Sequence, residues 1–173
     1  MDSEEAVIKF IDSADDWVSV SDAYQMLLEE IGDDLLDRLI CLTKHSSPEV
    51  RAVAVSLLAA RRPHNPDIID VIEPLLDDPD HLVRVRVLDS LSEYGELAEP
   101  LVPAVHRIVE EEKTSSDQLP RMLAISFLVS IDQQSCDYLI DEVLGVLKQE
   151  NGDMAEFVAL QTLIAWGKIE GAE

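Results

Sequence analysis

Val50-Arg51-Ala52-Val53-Ala54-Val55-Ser56-Leu57-Leu58 can be laid directly over Val83-Arg84-Val85-Arg86-Val87-Leu88-Asp89-Ser90-Leu91. Both stretches read Val-Arg, then a small or branched apolar residue three after the Arg, then Leu seven after it. The same offsets recur at Arg121, with Ala124 and Leu128, and at Glu156, with Ala159 and Leu163. The reference positions 51, 84, 121 and 156 are separated by 33, 37 and 35 residues. A fainter copy without the Arg stands at Val20, with Ala23 and Leu27. Apolar residues at offsets three and seven, with another just before the reference residue, form one stripe of an amphipathic helix. A repeat of this length is the signature of a stacked helical array, in which no helix pair buries its apolar faces by itself.

Each copy is preceded by a second segment of helical period, over about Asp33–Lys44, Asp67–Leu76, Leu101–Glu112 and Asp137–Lys148. Between the paired segments lie turn-forming joints: His45-Ser46-Ser47-Pro48, Asp77-Asp78-Pro79-Asp80, Thr114-Ser115-Ser116-Asp117 and Glu150-Asn151-Gly152-Asp153. Ser47-Pro48 and Asp78-Pro79 each place a capping residue before a Pro suited to a first helical turn. Gly95 and Gly167 fall four residues after a stripe Leu, where a helix C-cap is expected. The segment Glu110–Gln118 is the longest polar joint and the expected mobile loop.

With these residues in view, Pro48-Glu49-Val50-Arg51 and Asp77-Asp78-Pro79-Asp80-His81-Leu82-Val83-Arg84 resemble the loop and second helix of HEAT repeats, especially the short bacterial type. The resemblance runs from about Asp33 to Gly167. It implies an all-α, right-handed α-α superhelix of about five helix pairs. The expected organisation is a single repeat domain over 1–173, with a degenerate pair over 1–32 and repeats over about 33–66, 67–99, 100–135 and 136–173. In the family the second-helix Arg bonds a loop acid and builds a ladder between repeats. Arg51, Arg84 and Arg121 match that position, with Asp78 or Asp80 as the acid. Glu156 departs from it, so the ladder should end before the last repeat.

The composition agrees with helix-on-helix packing. Apolar residues make up 47% of the 173, aromatics only 5%, and the mean hydropathy is +0.04. Thirty-six acids against thirteen basic residues give a formal charge of −23, and residues 1–50 alone hold 13 acids and 3 bases. Phosphate contact needs a basic footprint, so nucleic acid is disfavoured as a partner, and an anionic membrane surface likewise. A basic partner would be attracted, although acidic surfaces also serve solubility. Cys41 and Cys136 make neither a disulfide framework nor a metal-ligand spacing, and Cys41, in an apolar run, reads as a core thiol. The start, Met1-Asp2-Ser3-Glu4-Glu5, is acidic where a signal peptide would be basic, which makes a reducing cytoplasm the expected location.

No catalytic, cofactor-binding or metal-binding residues are expected. His45, His64, His81 and His106 lie at joints or surface positions, without the His-Glu pairs required by the di-iron hydroxylases that resemble this fold. Asp77-Asp78-Pro79-Asp80 lacks the central Gly and distal Glu of a calcium loop. No Gly-rich phosphate loop or nucleophile motif is present. HEAT-like DNA glycosylases carry basic surfaces, opposite to this chain's charge. The HEAT-type bilin lyases remain an alternative as an enzyme subunit, and an array without a specific ligand is another.

In the family the second helices line the concave face. Offsets two, five and nine from the reference share the helix side turned away from the buried stripe. They read Asp22, Gln25, Glu29; Val53, Ser56, Ala60; Arg86, Asp89, Glu93; Leu123, Ser126, Ser130; and Val158, Gln161, Ala165. Asp22, Gln25, Glu29, Ser56, Arg86, Asp89 and Glu93 are the expected partner-binding residues. Arg61-Arg62 is read as helix-end stabilisation. Trp17 and Trp166 are expected to close the apolar ends of the array. The expected function is a non-catalytic protein-binding adaptor for a basic or mixed protein surface, an immunity or inhibitor protein being its sharper form.

Overall fold

The computed structural model describes residues 35–60, 67–149 and 152–168. The degenerate N-terminal pair with Asp22, Gln25, Glu29 and Trp17, together with His64 and Arg61-Arg62, lies outside the described residues. Among the described residues all regular structure is helical. The chain divides into two compact units, Met1–Tyr94 and Gly95–Glu173.

In the first unit, α1 (Leu35–Leu42) is followed by α2 (Pro48–Ala60), α3 (Asp67–Ile72) and α4 (His81–Tyr94). The reference stripes make its core. Ala54 and Leu58 on α2, and Val87 and Leu91 on α4, are all buried, with Val50 and Val83 ahead of them. Helix α1 packs on α2, and α2 lies side by side with α4. The α1 stripe of Leu35, Leu39 and Leu42 turns Cys41 to the opposite side of the helix, so this thiol is exposed and not in the core as expected. Helix α3 is shorter than its apolar period suggests. Pro74 has no N–H to give and clashes with the carbonyl four residues earlier, so the chain tightens into a 3₁₀ turn, Glu73–Asp77.

The second unit opens with a 3₁₀ segment, Gly95–Leu101, that contains Pro100. Helix α5 (Val102–Glu111), a 3₁₀ turn (Glu112–Thr114), α6 (Leu119–Ile131), a 3₁₀ segment (Gln134–Leu139), α7 (Ile140–Leu147) and α8 (Met154–Ala165) follow. Ala124 and Leu128 on α6, and Ala159 and Leu163 on α8, are buried at the same offsets as in the first unit. Helix α6 packs on both α5 and α8. The helical continuation to Thr114 leaves Ser115–Gln118 as the joint, shorter than the polar run suggests.

Both expected glycine caps are present. Gly95 and Gly167 adopt φ of 53° and 69°, the left-handed region that Gly enters without steric cost. After α8 the Gly167 N–H donates to the Ile164 carbonyl and the Lys168 N–H to that of Leu163, the paired bonds of a Schellman motif. The expected cap at Asp78 is corrected. Asp80 caps α4, its carboxylate accepting from the Leu82 N–H and its carbonyl from the Arg84 N–H. Pro79 therefore precedes the cap instead of entering the first turn, and the Asp78 carboxylate is left for another task. Trp166 is buried, its indole N–H donating to the Gln133 carbonyl.

Candidate interaction surface

The joints are organised by the reference residues. Arg51 folds back over its own joint, Nη1 donating to the carbonyls of His45 at 2.9 Å and Ser46 at 3.1 Å. Arg84 repeats this six and five residues back, onto Asp78 at 2.9 Å and Pro79 at 3.3 Å. A buried carbonyl must find a donor, and the planar guanidinium supplies several from one side chain. Asp78 then links two pairs. Its Oδ1 accepts from Arg51 Nη2 at 2.7 Å and from the Asp80 N–H at 2.9 Å, and its Oδ2 from Arg51 Nε at 2.9 Å. The family ladder is thus present between Arg51 and Asp78.

Burial pushes the Asp78 carboxyl up, but the bonds from Arg51 and Asp80 and the Arg51 and Arg84 charges more than offset it. The net displacement is downward, so Asp78 is a fixed anion. Among the described residues no group of three or more His, Cys, Asp or Glu is placed to hold a metal ion.

Arg121 departs from the expected ladder. It is buried, its Nε donates to the Val109 carbonyl at 3.0 Å, and its Nη2 pairs with Glu142 on the next first helix, not with a loop acid. At the fourth reference position Glu156 accepts from the Gly152 N–H at 2.7 Å, while Asp153 caps the Glu156 N–H at 2.9 Å. This is a capping-box variant, and it explains why an acid stands where the other copies carry Arg.

The described histidines, His45, His81 and His106, occupy joints and helix sides. His45 Nδ1 accepts from the Ser47 N–H, His81 begins α4, and His106 on α5 lies 3.5 Å from the Tyr138 hydroxyl.

Among the expected partner-binding residues, Arg86, Asp89 and Glu93 are exposed on α4. Arg86 and Asp89 stand 3.6 Å apart with about half of each side chain exposed. Such a surface pair is worth under ~1 kcal/mol, so a partner can reorganise it at little cost. Ser56 is half-buried and donates to the Ala52 carbonyl, its own preceding turn. In the second unit Ser130, Gln161 and Ala165 of the same offsets are exposed, whereas Leu123 is buried, because α6 is apolar on nearly every side.

One feature escaped the pattern reading. Helix α8 exposes Met154 at 60%, Phe157 at 56% and Leu160 at 38%. Its signal was available in the sequence: across Met154–Ala165 the only ionisable residue is Glu156.

Residues 35–116 match a family model described as HEAT repeats. Over these residues the chain carries HEAT repeats. The match spans α1 to the joint after α5, and the HEAT-repeat offsets continue beyond it in the buried Ala124, Leu128, Ala159 and Leu163. Comparison with curated proteins and with solved structures returns no match. HEAT repeats are in general protein-interaction or scaffold modules. No helix among the described residues is long and apolar enough to cross a membrane.

Proposed function

We propose that this HEAT-repeat chain is a non-catalytic adaptor that binds a protein with a basic or mixed surface. The observation that carries the reading is the exposed Arg86, Asp89 and Glu93 row on α4 in a chain of charge −23. Helix faces fixed by a buried stripe present such side chains in a set register, and a strong negative field speeds encounter with a cationic partner. Asp22, Gln25 and Glu29 extend the row in the sequence, and Ser56 adds a small neighbour on α2. The chemistry of the described side chains favours binding over catalysis: the most organised polar groups, Asp78, Arg51 and Arg121, are committed to holding joints together. In its sharper form the adaptor is an inhibitor that covers the basic substrate site of another protein.

The test captures partners at low and at high salt, then titrates the purified partner against the full chain and an Asp89→Lys, Glu93→Lys variant. Affinity should fall by about tenfold or more in the variant and with added salt. Retention unchanged from about 50 to 500 mM salt would sink the electrostatic part of the reading.

A further inference from the structure

Along α4 the exposed residues Leu82, Arg86, Asp89 and Glu93 follow one another at intervals of four, three and four, so they share one line of the helix surface. Read from the N-terminal end, that line is apolar, basic, acidic and acidic. Leu82 is 40% exposed. Arg86 Nη1 and Asp89 Oδ2 stand 3.6 Å apart, with side chains 48% and 54% exposed. Helix α2 lies beside α4 and carries Val53, Ser56 and Ala60, small and half-buried, at the offsets that Arg86, Asp89 and Glu93 hold on α4. The α4 side chains therefore stand as a charged ridge beside a low neighbour, over about 16 Å of helix.

Helix stability does not explain the order of these charges. A helix favours cations in its last turn, and it favours an acid placed ahead of its basic partner. Here the acid Glu93 stands in the last turn of α4, and Arg86 precedes Asp89. Solubility does not explain Arg86 either, because in a chain of −23 a cation lowers the net charge. Offsets two, five and nine of the five copies give fifteen positions, and Arg86 is the only basic residue among them, against the acids Asp22, Glu29, Asp89 and Glu93. Arg51, Arg84 and Arg121 are committed to joints, whereas Arg86 meets Asp89 across a loose surface contact.

We propose that the α4 line selects a partner helix by its order of charges, taking one with a carboxylate among its cations, and that Arg86 sets the choice. The field of the whole chain draws any cationic segment, so attraction alone does not discriminate. A purely basic helix laid along α4 puts a Lys or Arg against Arg86, and like charges brought together at a contact are strongly disfavoured. A helix with Asp or Glu at that point takes Arg86 from Asp89 and leaves the Asp89 carboxylate for its own next cation. A second cation, one turn on, meets Glu93. The Arg86–Asp89 pair gives way readily because both side chains are half in water. Leu82, at the end of the line, receives an apolar residue of the same helix. Intervals of four, three and four read alike in both directions. The occupant therefore carries apolar, acidic, basic and basic residues at those intervals on one face, in forward or reversed order. This inference rests on the adaptor reading above and states which cationic partner that surface takes.

The probes are three synthetic helical peptides of about eighteen residues. One carries Leu, Glu, Lys and Lys at intervals of four, three and four, the second carries the reversed order, and the third has Lys in place of Glu. Each is titrated at about 150 mM salt against the full chain, against Arg86→Glu, and against Asp89→Asn with Glu93→Gln. All the changed positions are exposed, and retained circular dichroism shows that the helices persist. One of the two mixed peptides should bind the wild type about fivefold or more tighter than the Lys-only peptide. Arg86→Glu should move that preference by about tenfold or more, in favour of the Lys-only peptide. The variant without the two acids should bind both more weakly. An unchanged preference in Arg86→Glu, tighter binding of the Lys-only peptide by the wild type, or no binding of either mixed peptide overturns the inference. The adaptor reading is judged separately, by salt-sensitive capture of a protein partner. Capture that Asp89→Lys with Glu93→Lys abolishes and Arg86→Glu leaves untouched keeps the adaptor and removes the selection by charge order.

Discussion

Arg51 and Asp78, 27 residues apart, meet as a two-pronged ion pair, Nη2 to Oδ1 at 2.7 Å and Nε to Oδ2 at 2.9 Å. The contact ties the second helix of one HEAT pair to the joint of the next. Both side chains are largely buried, at 12% and 5% exposure. Removing one partner leaves the other charge short of its match in a poorly solvated place. Asp78→Asn should cost about 2–3 kcal/mol in urea unfolding. Arg51→Ala combined with it should cost less than the sum of the two single changes.

The same pair gives the protein an acid limb. Asp78 titrates lower in the folded chain than its ordinary range, because the Arg51 and Asp80 bonds and the two Arg charges outweigh burial. A carboxyl lowered on folding lends stability that is complete above its unfolded value. That stability is lost as pH falls through the folded one. The wild type should therefore lose more stability than Asp78→Asn between about pH 6 and pH 3. Parallel pH profiles of the urea midpoint would contradict this.

Arg121 holds the Val109 carbonyl and Glu142 at once from a buried position. Lysine keeps the charge but not the planar fork, so Arg121→Lys cannot serve both acceptors in the same geometry. A loss of about 1–3 kcal/mol is expected, with α-helical circular dichroism retained at low temperature.

Tyr94 ends α4 with its hydroxyl buried and without a hydrogen-bond partner. Burial pushes its phenol above the ordinary tyrosine value. An unpaired buried hydroxyl opposes folding, and Phe has the same shape without it. Tyr94→Phe should raise stability, by about 1 kcal/mol, in contrast to most core substitutions. A lower melting temperature would refute the assignment.

Gly95 follows directly, at φ 53°, with no atom within 4 Å of where a Cβ would stand. Space is therefore not the constraint; backbone conformation is. Gly95→Ala should destabilise by about 1 kcal/mol through strain in the left-handed region. Gly145, with equally open surroundings but inside α7, should tolerate Ala or gain from it, and the contrast is measurable by thermal unfolding.

The helices were legible because burial follows the offsets: among the described residues, those three and seven after Arg51, Arg84, Arg121 and Glu156 are all buried. Their ends were less so. Pro79 looked like a first-turn residue, but the Asp80 carboxylate outcompetes Asp78 as cap because Asp78 is drawn to Arg51. Pro74 turned expected α-helix into a 3₁₀ turn, a local steric effect that a period does not report. The Arg121–Glu142 pair was hidden because its acid stands on the next first helix, 21 residues on, and not in a joint that the repeat marks. The row of Arg86, Asp89 and Glu93 was readable from helical spacing, whereas the α8 face needed burial values to separate it from a core stripe. Cys41 shows the converse error, an apolar run taken for an inward-facing position.

Helix α8 is fastened firmly at one end only. Near its C-terminus the Trp166 indole bonds Gln133, the Gln133 amide bonds Ala165, and Lys168 pairs with Asp137. Its first turn is held by Asp153 and Glu156, which belong to the helix's own start. Among the described residues, opening that turn breaks no polar link to another helix. Amide hydrogens at Glu156 and Phe157 should accordingly exchange with solvent well before those at Thr162 and Trp166. One helix then runs on two clocks: a slow anchor beside Gln133, and a fraying tip that lets Met154 and Phe157 adjust to whatever lies against them.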